Sequence, residues 1–161
     1  MWIRLFLLTL SIDVAGGCTS APPTRVHSYW GLTTQRPPRD ATFAWSLESN
    51  APGTLSGDEA LMAMIRERTE SGLINLGYRK REGRASAEFY VSCRLTTRVQ
   101  PSDAGPIDSG SLVIDAVSGA DGRLIWRGWA EGPTDPSLPP EVRQQRIENA
   151  VTEILDRFRP S

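Results

Sequence analysis

Apolar residues recur along this chain with two different periods, and each change of period marks an element. From Ala87 to Arg98 (AEFYVSCRLTTR), Phe89, Val91, Cys93 and Leu95 alternate with Tyr90, Ser92, Arg94 and Thr96. A period of two is the mark of a strand with one buried face. Ala41–Leu47 (ATFAWSL) alternates likewise, with Phe43 and Trp45 on one side. Ser111–Val117 and Arg123–Gly132 (RLIWRGWAEG) read as two more strands, joined across Ser118–Gly122 as a hairpin. Arg25–Trp30 (RVHSYW) is a candidate first strand with Val26, Ser28 and Trp30 on one face; Pro37 and Pro38 end any regular structure after it.

Two segments switch to the helical period. Over Asp58–Leu76 the stripe is Leu61, Met62, Ile65, Thr69, Gly72, Leu73 and Leu76, with Ser56 or Asp58 as the cap and Gly77 as the stop. Met62 reads as a core gap-filler rather than a ligand contact. Gly72 costs such a helix about 1 kcal/mol relative to alanine; close approach of a strand or a weak helix end accounts for it. Over Glu141–Phe158 the stripe is Ile147, Ala150, Val151, Ile154, Leu155 and Phe158, opened by Pro140 and closed by Arg159–Pro160. Consecutive strands joined by short loops imply antiparallel pairing. The expected fold is α+β: a two-layer sandwich, an antiparallel sheet of about four strands with two helices on one face.

The first residues follow neither period. In Met1–Cys18 (MWIRLFLLTLSIDVAGGC) a single basic residue, Arg4, precedes the apolar run Leu5–Ile12 and the small residues Ala15, Gly16 and Gly17. That is the layout of a secretory signal peptide. Cys18 directly after the small residues resembles the lipobox of bacterial lipoproteins, although Asp13 and Ala15 depart from its usual form. The resemblance implies acylation of Cys18, which becomes the first mature residue. Thr19 in place of an aspartate implies the periplasmic face of the outer membrane. The competing reading is a buried N-terminal helix that ends in Gly-Gly-Cys. The Thr, Ser and Pro residues from Thr19 to Thr24 have a tether's composition. The expected division is a signal peptide over 1–17, a lipidated cysteine and tether with a candidate strand over 18–40, and one α+β domain over 41–161.

Composition narrows the chemistry. With 161 residues and 39% apolar content the chain suits one compact domain plus a tail. Eighteen Lys+Arg against 19 Asp+Glu leave a net charge of −1, without the basic stripe of a nucleic-acid binder. One histidine and two cysteines are too few for most multi-ligand metal or haem sites, so no metal or other cofactor is expected. With Cys18 acylated, Cys93 has no disulfide partner and the apolar core must hold the fold.

Catalytic constellations are sparse. His27 and Cys93 offer a nucleophile–base pair, but Cys93 falls on the apolar side of its strand, where a thiol is inert. Asp115, Glu88 and Glu131 sit in or near strands. The structural reading is that Asp115 satisfies nearby backbone amides and Asp121 supports its turn. Gly119–Gly122 leads into a strand, not a helix, and so is no phosphate loop. Trp126 and Trp129 have opposite parity and must point to opposite faces. One of them therefore joins Tyr90 and Arg94 on the face away from the helices, a composition typical of binding surfaces. The alternative is that the N-terminal segment folds over that face and buries them.

In order along the chain, ATFAW (Ala41–Trp45), a helix ending Leu76-Gly77-Tyr78, the AEFYVSC strand, LVIDAV (Leu112–Val117), LIWRGWA (Leu124–Ala130) and AVTEILDRF resemble the bacterial lipoprotein family known as domain of unknown function 4136. The likeness spans roughly Tyr29 to Pro160, and Trp126-Arg127-Gly128 is its most specific part. Thr69 and Cys93 depart from it where apolar residues are expected. The resemblance implies a lipid-anchored envelope protein of α+β fold and no reaction. The expected function is an outer-membrane lipoprotein, held through its lipid anchor, whose non-enzymatic domain binds an envelope protein or glycan. The alternative is a small-molecule or lipid-binding module with an apolar pocket of about 300 Å³ or more between helices and sheet. A hydrolase using Asp115 or Glu88 comes third.

Overall fold

The structure, a computed structural model, describes residues 24–31, 36–46, 59–82, 87–100, 107–135 and 137–160. The expected signal peptide, Cys18, the expected tether to residue 23, and the cap candidates Ser56 and Asp58 lie outside the described residues. Elements follow in the order β1 (Arg25–Trp30), β2 (Thr42–Trp45), α1 (Glu59–Asn75), β3 (Arg79–Lys80), β4 (Phe89–Gln100), β5 (Ile107–Ser118), β6 (Leu124–Pro133) and α2 (Pro140–Leu155).

The strands form one six-stranded mixed sheet in the order β1-β6-β5-β4-β2-β3. This corrects the expectation of about four antiparallel strands. β4, β5 and β6 are an antiparallel meander, and β1 adds antiparallel to β6. β2 pairs parallel with both β3 and β4. The physical reason is α1: it carries the chain back across the sheet, so the strand after it starts at the same end as β2. At its end Gly77, with φ of +97°, closes a Schellman turn in which Gly77 N–H donates to Ile74 and Tyr78 N–H to Leu73.

Both helices pack on one face of the sheet. Thr69 of α1 meets Cys93 of β4, and Ile154 of α2 lies against Gly128 of β6; Cys93 and Gly128 share a row through Ile114. The helices run in the same sense, since Arg68 pairs with Glu148 and, further along both, Gly72 meets Leu155. A Cβ at position 72 would lie 2.4 Å from Leu155 Cδ1. The glycine therefore accommodates the other helix, not a strand.

Rows of inward side chains change size along the strands. One row holds Trp45, Val91, Ala116, Trp126 and Trp30. The next is Cys93, Ile114, Gly128 and Ser28, then Leu95, Leu112, Ala130 and Val26. The next row is Thr97, Gly110 and Gly132, with Thr24 against Gly132, and beyond it Val99 and Asp108 are exposed. Beyond α2 the buried Phe158 fills the bulky end, touching the rings of Trp126, Trp30, Tyr78 and Phe89 at centroid distances of 4.8–5.8 Å. The sandwich is solid at the aromatic end and thin at the other.

The two departures from apolar character, Thr69 and Cys93, meet in the core: Thr69 Oγ1 and Cys93 Sγ are 3.6 Å apart, a hydrogen bond between otherwise stranded groups. Burial pushes the Cys93 thiol up to about 12, only partly offset by that bond. Unfolding returns it to the ordinary thiol range. The folded state therefore loses relative stability as pH rises through the alkaline range between the two values. We predict that a thiol reagent at pH 8 leaves Cys93 of the folded chain unlabelled and labels it fully in denaturant. Labelling of the folded protein at the denatured rate would contradict this burial.

Gly128 is the tightest point beneath α2. A Cβ there would lie 2.3 Å from Trp126 Cη2 and 2.6 Å from Ile154 Cγ2. Gly128→Ala is expected to lower unfolding free energy by about 1–3 kcal/mol through overpacking, read from denaturant titration; an unchanged midpoint would refute the packing role.

Candidate functional site

Where the inward rows run out of bulk, the layers part around a half-open cavity of about 550 Å³. Leu95, Leu112 and Ala130 form its floor on the sheet. Leu61 and Met64 of α1 and Ile147 and Ala150 of α2 form its walls. The mouth lies between the first turns of both helices, with Thr24, Thr97 and Thr134 at its edge. Its charges are mixed: Arg143 and Arg146 on α2, Asp108 and Asp135 on the sheet side. Asp135 accepts hydrogen bonds from the Ser137 backbone N–H and hydroxyl, which hold its carboxyl below the ordinary range; the charge of Arg146 adds to this. The lining is mainly apolar and the polar groups are confined to the rim, the usual plan of a small-molecule pocket.

A cavity of this size was an expectation from the alternative reading, but its residues were not singled out. The helical period marks Leu61, Ile147 and Ala150 as core stripe positions. Their periodicity says that they face inward and says nothing of whether anything faces them. The available signal was the row Thr97, Gly110 and Gly132, whose small and polar residues cannot fill the space under two helices.

The opposite face of the sheet carries the aromatic and arginine residues. Trp129 lies there half-buried, stacked on His27 at 5.1 Å and edge-on to Tyr29 at 6.1 Å. Tyr90 and Arg94 are on the same face, in β4. Trp126 is not: it is fully buried under α2, which corrects its reading as a candidate surface residue. Parity separates the two tryptophans as expected, but only the helices decide which one is covered. β1 extends the sheet at its edge; residues 1–23 and 32–35 of the N-terminal segment, to which the covering alternative also refers, lie outside the described residues.

Asp115 is the buried anchor of the open face. Arg127 grips it with two hydrogen bonds, Nε to Oδ1 at 2.5 Å and Nη2 to Oδ2 at 2.7 Å, and Arg94 approaches Oδ2 at 3.4 Å. Asp115 therefore satisfies arginine side chains on neighbouring strands, not the backbone amides expected from sequence. Its hydrogen bonds raise the Arg127 guanidinium above its ordinary value. Beside this pair a polar depression of about 210 Å³ is lined by Arg94, Arg98, Arg127, Ser111 and Glu131 among others.

The remaining candidates are apart from one another. His27 is on the open face and Cys93 on the helix-covered face, so the sheet stands between them. Glu88 accepts hydrogen bonds from the Thr42 backbone N–H and hydroxyl, fastening β2 to β4. Asp121 accepts from the Arg123 backbone N–H within the hairpin turn, as read from sequence. Among the described residues no three His, Cys, Asp or Glu side chains gather as a metal-ligand group, and no helix is long and apolar enough to cross a membrane.

Comparison with known proteins places this fold. No protein of curated function matches the chain. Among solved structures, the PelC dodecamer from Paraburkholderia phytofirmans is similar with a TM-score of 0.55 and 13% identity, over 86% of this chain and 99% of that one. A PDZ domain protein from Parabacteroides distasonis aligns with a TM-score of 0.58 and 12% identity, over 84% of this chain and 36% of the other. A DUF4136 family protein from Bacteroides thetaiotaomicron aligns with a TM-score of 0.50 and 13% identity, over 85% and 97% of the two chains. At such identities the likeness is one of fold. The model of the family described as domain of unknown function (DUF4136) matches residues 38–160, and the chain belongs to that family.

Proposed function

We propose that this chain is a lipoprotein of the bacterial envelope, held by an acylated Cys18 at the periplasmic face of the outer membrane, whose domain binds a small apolar ligand without transforming it. The observation that carries the binding is the half-open cavity of about 550 Å³. It exceeds the roughly 300 Å³ at which ligand pockets begin and its walls are aliphatic. Supporting the absence of chemistry, the two carboxylates weighed for a hydrolase are engaged elsewhere: Asp115 by Arg127, and Glu88 by Thr42. Cys18 after the small-residue run supports the anchor, and acylation at more than one position makes such anchoring stable.

A second reading is favoured by one feature. The arginine-lined depression beside Trp129 and Tyr29 suits an acidic envelope glycan or a protein carrying carboxylates. Tyr29 is 43% exposed, unusual for a ring of its size that serves only packing.

The anchor is tested by mass spectrometry of the protein recovered from membranes. Cys18 is expected as the acylated N-terminal residue; a free polypeptide still beginning at Met1 would reject it. Binding is tested by filling the cavity. Ala150→Phe is expected to raise the stability of the ligand-free protein by about 0.5–2 kcal/mol. It should also abolish the thermal shifts that a panel of apolar small molecules gives the unaltered protein. If Ala150→Phe keeps those shifts, or if only Trp129→Ala disturbs capture of an envelope component, the cavity reading fails and the open-face reading takes its place.

A further inference from the structure

We infer that the cavity takes one acyl chain of a membrane phospholipid with a zwitterionic headgroup. The inference rests on the binding reading above and names its ligand class. Three observations carry it. The first is shape and chemistry: a cavity of about 550 Å³, aliphatic on its floor and walls and open at one end, suits a single flexible hydrocarbon chain whose polar end stays outside.

The second is the rim. Arg143 and Arg146 stand on the α2 side of the mouth. Asp108 and Asp135 stand on the sheet side. One headgroup placed across this mouth meets cationic groups toward its phosphate and carboxylates toward its ammonium. A purely anionic headgroup meets the two carboxylates unfavourably.

The third is where the chain leads. Thr24 lines the mouth and is also the first described residue, directly before β1. Cys18 lies six residues upstream, a span of at most about 20 Å of extended chain. If Cys18 is the anchor, the mouth is kept within that distance of the bilayer from which the ligand comes.

The test uses the full chain carrying Cys18→Ser, so that its result does not depend on acylation, which is measured separately on the unaltered protein. Calorimetric titration with monomeric lysophosphatidylethanolamine is expected to give saturable one-to-one binding. Affinity should exceed that for lysophosphatidylglycerol or palmitate by about tenfold. Thr97→Trp, at an exposed position on the mouth, and Ala150→Phe, inside it, should each weaken binding by about tenfold or more, with unchanged circular dichroism. Because Thr97 is outside the packed core, its variant tests the cavity even if Ala150→Phe fails to fold.

Equal binding by folded Thr97→Trp, or no binding of any acyl compound to the folded protein, overturns the inference. So does a preference for palmitate, which assigns the cavity to free fatty acids. If the acylated protein excludes the lipid that the Cys18→Ser chain binds, the occupant is the protein's own anchor and a bilayer lipid is ruled out. Thermal shifts with other apolar compounds but none with lipids would leave the binding reading intact and remove this one alone.

Discussion

Phe158 is the joint on which the molecule turns. It follows α2, yet its ring contacts Trp30 from β1, Tyr78 after α1, Phe89 from β4 and Trp126 from β6. Each such aromatic contact contributes about 0.5–1.5 kcal/mol beyond its buried area. Together they pin the end of α2 to the sheet and to the end of α1. With that end fixed, the helices cannot close down on the small residues at the other. Solid core and open cavity are thus two results of one uneven distribution of side-chain volume.

The same cluster carries a cost that its size outweighs. Tyr78 Oη and Trp126 Nε1 are buried without a hydrogen-bond partner among the described residues. An orphaned group of this kind costs about 1–3 kcal/mol. Burying an aromatic side chain of about 150–250 Å² contributes roughly 4–6 kcal/mol at 25 cal/mol per Å². The sign of the balance is clear, and burial pushes the Tyr78 hydroxyl up to about 12, keeping it neutral. Two other polar pairs are satisfied: Thr69 with Cys93 inside, and Arg127 with Asp115 on the open face.

The two faces of the sheet divide the labour. The helix side holds the fold together at one end and encloses an apolar cavity at the other. The open side is closed chemically by the Asp115–Arg127–Arg94 group, which braces three neighbouring strands. Removing the charge from Asp115 would leave two arginines facing each other. The open face is therefore under an electrostatic constraint as well as being available to partners, and its residues carry structural weight that a binding reading must share.

Local order was legible in the sequence because it depends on neighbours in the chain. The two helices, the strand at Ala87–Arg98, the hairpin around Gly122 and the inward set Phe89, Val91, Cys93 and Leu95 all follow from periods of two and 3.6 and from turn residues. Opposite placement of Trp126 and Trp129 follows from parity alone. What the chain could not show by itself was which distant segments pair. β1 beside β6, and β2 parallel to β4, join residues tens of positions apart, and alternation carries no label for its partner. For the same reason Gly72 met a helix where a strand was expected, and Asp115 met arginines instead of amides. The cavity is the strongest case. A stripe of apolar residues has one appearance in a sequence whether it faces other side chains or empty space, and only the three-dimensional sum of volumes across sheet and helices separates the two.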